Sequence, residues 1–211
     1  MYNLNVDAAR AGDSRSSFID ATGKYVGKFT KAEDIVANSG TRGIAFDFVS
    51  NDGQKARFAL YTIKADGSQI YGFKQLMTIL TVLKLRGIPA PVPMEAKVWD
   101  RDAGQEVTRA VPQFADLVGK EIGVLFEMEE YEKRDGTTAW RPNFAGAFQA
   151  QSELTATEVL DQKVQPLQLA KMVAGLKDRP LKVKPAGGIA EGNRAATEHA
   201  FSDFDDNSPP F

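Results

Sequence analysis

Cysteine is absent from this 211-residue chain, and histidine occurs once, at His199. Without cysteine there is no disulfide framework, no thiolate nucleophile and no cysteine metal site, which permits a reducing compartment. A single histidine excludes a multi-histidine metal centre, and its place in a disorder-prone end excludes a histidine-based triad. No apolar run is long enough to span a bilayer, and residues 1–7 lack the basic region and apolar core of a signal peptide. Phosphate-cradling G-x-x-x-x-G-K-[ST] and G-x-G-x-x-G motifs are missing as well. Neighbouring acids such as Asp100 and Asp102, or Glu129 and Glu130, read more simply as solvated strand and turn residues than as a metal or hydrolase site. The expectation is a cytoplasmic protein that is not an enzyme, with no cofactor, no metal and no membrane attachment.

What charge there is divides unevenly. From Pro185 onward one base, Arg194, faces five acids, Glu191, Glu198, Asp203, Asp205 and Asp206, a net of −4. Against the formal −2 of the whole chain, the preceding body is left at +2. A weakly basic body with an acidic tail permits nucleic-acid binding without demanding it.

Along the body the apolar pattern is mostly that of strands. Residues 24–31 read as a first strand and residues 44–49 as a second, with Ile44, Phe46 and Phe48 on one face by the period of two. Asn51, Asp52 and Gly53 supply a hairpin turn into a third strand at 55–63. The period then changes to about 3.6. Phe73, Leu76, Met77, Leu80 and Leu83 form a helical stripe between a candidate N-cap at Ser68 and a candidate C-terminal glycine at Gly87. A hairpin at 94–101 and 105–111 follows, then a strand pair at 121–131 and 138–148, where Pro142 demands an edge or a bulge. Three strands, a helix and two more strands is the order of an oligonucleotide/oligosaccharide-binding (OB) fold. The expected fold is therefore mainly β, α+β: a five-stranded OB barrel over residues 1–150, with the hairpin around Trp99 as an insertion. A helical, basic extension would occupy 151–184, with a short helix starting at 155–158. Its stripe of Leu169, Met172, Val173 and Leu176 is suited to dock on the body or on a second subunit, as in a homo-oligomer. Residues 185–211 are small, polar and disorder-prone.

Binding an unstacked single strand requires cations for phosphates and flat rings for bases. Three segments pair those types: Lys55, Arg57 and Tyr61 on the third strand; Lys97, Trp99 and Arg101 on the inserted hairpin; and Lys133, Arg134, Trp140 and Arg141 around the last turn. The phenylalanines Phe46, Phe48, Phe58, Phe126 and Phe148 read first as core. Glu127, Glu129, Glu130 and Glu132 would repel phosphate, so the face bearing Glu127 and Glu129 must point away from any bound strand.

The tail carries the most specific pattern. Asp203, Phe204, Asp205 and Asp206, followed by Pro210 and Phe211, resemble the acidic tip of single-stranded DNA-binding proteins (SSBs), with Asn207, Ser208 and Pro209 departing from that pattern. The acids suit long-range attraction to a basic patch. Pro209 and Pro210 keep the segment extended, and Phe211 offers a ring and an α-carboxylate together. The resemblance implies a bacteriophage-type SSB in the bacterial host cytoplasm. Such a protein coats single-stranded DNA in replication, recombination and repair, and recruits a polymerase, helicase or nuclease through its tail. The alternative is a replisome adaptor that binds protein partners without touching DNA.

Overall fold

Alternating large apolar residues in Ile44, Phe46 and Phe48 require a strand with one buried face, and all three are buried in the computed structural model, which describes residues 17–100, 103–133 and 135–181. They lie on β2 (Arg42–Ser50), the middle of an antiparallel meander with β1 (Gly23–Val36) and β3 (Lys55–Ile63). Helix α1 (Tyr71–Val82) follows, then a hairpin of β4 (Val92–Asp100) and β5 (Gln105–Gln113). A 3₁₀ turn (Ala115–Leu117) leads to a second hairpin, β6 (Glu121–Glu132) and β7 (Thr138–Phe148). Two short helices come next, α2 (Ala156–Leu160) and α3 (Leu169–Gly175).

The seven strands form one antiparallel sheet in the order β3-β2-β1-β5-β4, with β6 branching from β1 and β7 pairing β6. Strand β1 makes this possible by serving two ladders. Residues 27–36 pair β2, while residues 23–28 pair β6, and Gly27 and Lys28 belong to both. A side chain at Gly27 would place its Cβ 2.1 Å from the Val49 carbonyl oxygen and 2.8 Å from the Phe48 ring, so only glycine fits at this position of the overlap. The β4–β5 hairpin joins β1 through one register pair, Glu33 with Gln113.

No ladder joins β3 to β7 among the described residues. Instead, α1 packs on both strands, and Phe58 of β3 stacks on Phe144 of β7 with ring centroids 5.4 Å apart. The core beneath is aromatic: Phe46 lies 4.6 Å from Phe29 and 5.1 Å from Phe58, and Phe58 lies 5.5 Å from Phe126. Each buried phenylalanine contributes about 2–3 kcal/mol by leaving water.

Helix α1 is rotated relative to its predicted stripe. Its buried residues are Gly72, Leu76, Ile79, Leu80 and Val82, whereas Met77 is exposed. Contact with β3 sets the rotation: a Cβ at Gly72 would stand 2.0 Å from the Tyr61 carbonyl oxygen, so helix and strand touch backbone to backbone. Nor is Ser68 the cap. The helix starts after Ile70 without a side-chain cap, because Ser68 donates its amide to Asp66 Oδ1 in the preceding turn. At the other end, Lys84 rather than Gly87 takes the positive-φ position.

Strand β7 is an edge, which accommodates Pro142 opposite Met128. An extra residue at Ala145 shifts its register, so Phe144 enters the main core while Phe148, also even-numbered, enters a second cluster with Leu125 and Leu169. Met172, Val173 and Leu176 of the predicted apolar stripe pack against that cluster, so the stripe docks on the body. Helix α2 begins at the predicted place, with a capping box between Thr155 and Glu158. Among the described residues no helix is long and apolar enough to cross a membrane.

Candidate nucleic-acid interface

On the outer face of β2 and β3, strand alternation brings Arg57 opposite Asp47. The guanidinium donates through Nε to Oδ1 at 2.8 Å and through Nη2 to Oδ2 at 3.3 Å. Asp47 also meets the ammonium of Lys31 at 3.4 Å, and Lys31 reaches Glu33 at 3.1 Å. Two cations and two carboxylates thus neutralise one another. Burial works against the charge of Arg57, but its hydrogen bond and proximity to Asp47, with smaller help from Glu106 and Glu33, leave its pKa above the ordinary value. Arg57, predicted as a phosphate contact, is therefore engaged within the protein.

Tyr61, predicted as a stacking ring, is buried, because Gly43 and Gly72 bring the β2 and α1 backbones onto it. Lys55 remains exposed at the start of β3. Beside it runs the segment of Phe18, 40% exposed, held by the amide of Lys55 donating to Ser17 and that of Ile19 donating to Lys55. Phe18 gives this edge an aromatic residue that sequence reading passed over, since a lone phenylalanine among small polar residues shows no periodicity.

The β4–β5 hairpin places Lys97 opposite Thr108 and Trp99 opposite Glu106, two residues apart on one strand as the period of two requires. Lys97 is exposed, and Arg101 lies outside the described residues. At the root the Gln113 side chain is buried between strands: its Oε1 accepts from the Ala32 amide at 3.4 Å and its Nε2 donates to the Met94 carbonyl at 3.2 Å.

In the β6–β7 hairpin Trp140 is 47% exposed opposite Glu130, and Lys133 is exposed at the turn. Asp135 shapes that turn by accepting from the Thr137 hydroxyl and amide, which holds its carboxyl below the usual range. Arg134 lies outside the described residues. Arg141 is not a free cation. It donates to Glu129 through Nε and Nη2, at 3.2 and 3.1 Å, and lies over the Tyr131 ring at 5.0 Å. Alternation puts Glu129, Tyr131 and Arg141 on the face opposite Trp140. That face borders a cleft of about 470 Å³ between α1, β6–β7 and α3, lined in part by Tyr71, Gln75, Asn143 and Met172. Glu127 accepts from Arg179 at 2.6 Å, and strand alternation turns the Glu127 and Glu129 carboxylates away from the tryptophan.

The cation and ring sets start from opposite ends of β1. Strand β6 continues past Gly23 to its turn, whereas the β4–β5 hairpin leaves at Glu33. No protein-family model matches this chain, and no similar curated protein is found. Among the described residues no three acidic or histidine side chains converge to hold a metal ion. The tail residues Asp203, Phe204, Asp205, Asp206, Pro210 and Phe211 lie outside the described residues.

Proposed function

We propose that the protein binds single-stranded DNA without sequence preference, through a partly open OB-type barrel, in bacteriophage DNA replication or recombination. The observation that carries this reading is the shared strand β1. One strand paired to β2 and β6, with a helix between β3 and the last strand pair, supports the OB reading once β4–β5 is set aside as an insertion. Lys97, Trp99 and Arg101 on one hairpin, Lys133, Arg134 and Trp140 on the other, and Lys55 with Phe18 at the β3 edge then form the binding groups. Arg57, Tyr61 and Arg141 support them from within. The tail, through Asp203, Phe204, Asp205, Asp206, Pro210 and Phe211, recruits a replication or recombination protein in the bacterial cytoplasm.

Titration of labelled single-stranded and duplex oligonucleotides tests this. Single-strand affinity should exceed duplex affinity and fall with salt, at a slope of roughly −0.7 per phosphate neutralised. Trp99→Ala and Trp140→Ala should each cost about 1–3 kcal/mol of binding if the ring stacks on a base. Equal affinity for duplex, or no salt dependence, sinks the proposal. One observation favours the adaptor reading instead: residues 127–141 carry five acids against three bases. On that reading the tail captures its partner while oligonucleotide binding is absent.

A further inference from the structure

The hairpin carrying Trp140 faces an electrostatic problem, because its acids outnumber its bases. The segment after α3 addresses it. Beyond Gly23 the edge of β6 has no β1 to pair with, and Arg179 takes that place: its amide donates to the Met128 carbonyl at 2.7 Å, and its carbonyl accepts from the Glu130 amide at 2.9 Å. Asp178 is fixed by the Thr22 hydroxyl, which itself accepts from the Met128 amide. So anchored, the segment delivers donors to the β6 carboxylates. The Arg179 guanidinium reaches Glu127 through both Nε and Nη2 at 2.6 Å, the Lys177 amide donates to Glu127 at 3.3 Å, and the Leu181 amide to Glu130 at 3.1 Å.

We propose that Arg179 is a positioning residue for single-strand binding, which cancels the Glu127 charge so that the hairpin bearing Trp140 and Lys133 can accept a phosphate backbone. This rests on the proposed function and adds a residue that makes no contact with DNA. Glu127 lies on the face opposite Trp140, so its effect on a bound phosphate is long-range: at about 12 Å and an effective dielectric between about 40 and 80, an uncovered carboxylate weakens binding roughly two- to threefold.

The experiment is an oligonucleotide titration of the full chain at low and high salt, with wild type, Arg179→Ala, Glu127→Gln and the double variant, after thermal melts confirm folding. Arg179→Ala should lose roughly two- to threefold in affinity at low salt and recover at high salt, where screening removes the repulsion. The double variant should return to wild-type affinity, because the amide needs no counter-charge. Glu127→Gln alone should bind as wild type or more tightly, and it remains informative if Arg179→Ala does not fold. Wild-type affinity in Arg179→Ala, failure of Glu127→Gln to rescue it, or weaker binding by Glu127→Gln alone overturns the inference. Absence of binding by wild type overturns the proposed function instead.

Discussion

Arg57 and Asp47 are direct register partners across the β2–β3 ladder, and their side chains are joined by two hydrogen bonds of 2.8 and 3.3 Å. An arginine so held contributes to the fold before it contributes to any ligand. Arg57→Ala should lower stability by about 1–2 kcal/mol, the low end for charged hydrogen bonds because the guanidinium is partly exposed. Single-strand affinity should change little. Urea denaturation and oligonucleotide titration of the same protein separate the two effects, and a large affinity loss at unchanged stability would return Arg57 to the interface.

Gly72 fixes α1 against β3. Gly72→Ala should push the helix off the strand, since its Cβ would meet the Tyr61 carbonyl oxygen at 2.0 Å. Overpacking of this kind costs about 1–3 kcal/mol. A thermal melt at wild-type Tm would show that the helix can shift without cost.

Glu158 is buried and accepts four hydrogen bonds, from the Thr155 amide and hydroxyl and from the Leu167 and Gln168 amides. Its pKa is lowered, chiefly by the Thr155 amide and then by the Gln168 and Leu167 amides, while burial opposes them. A carboxyl with a depressed folded-state pKa stabilises the protein above its unfolded pKa and loses that contribution as pH falls through the folded value. Glu158→Gln should therefore melt below wild type at neutral pH, with the gap closing in acid. A pH-independent gap would mean that packing, not ionisation, is what the carboxylate supplies.

The acidic tail, net −4 from Pro185 onward, should compete with phosphate for the body. Removing residues 201–211 should tighten single-strand binding at low salt, with the effect fading as salt rises. Phe211→Ala should keep DNA affinity and lose capture of a purified replication partner. Unchanged low-salt affinity after truncation excludes the competition.

The strands were legible because alternation is a local signal: β3 spans the predicted residues, and the β4–β5 and β6–β7 hairpins lie where turn chemistry puts them. Long-range decisions were not. Ala32 to Val36 extend β1 because β2 pairs them, although their mixed polarity shows no strand period. Tyr61 alternates in phase with Arg57 and would be outward, yet Gly72, eleven residues on, buries it. The same limit governs the candidate interface. Sequence collects cations and rings but does not reveal that Arg57 and Arg141 are spoken for by Asp47 and Glu129, because an ion pair across a ladder depends on register.

The overlap of two ladders at Gly27 also dictates an order of assembly. The β1–β2–β3 meander and α1 can form from residues 17–82, since their contacts are near in sequence. The partners of Gly23 to Lys28 on β6 arrive about a hundred residues later, and with them Phe126, whose ring packs against Phe48 and Phe58. During synthesis the side of the meander's aromatic core that Phe126 closes therefore stays open until β6 has left the ribosome, while α1 covers part of the rest.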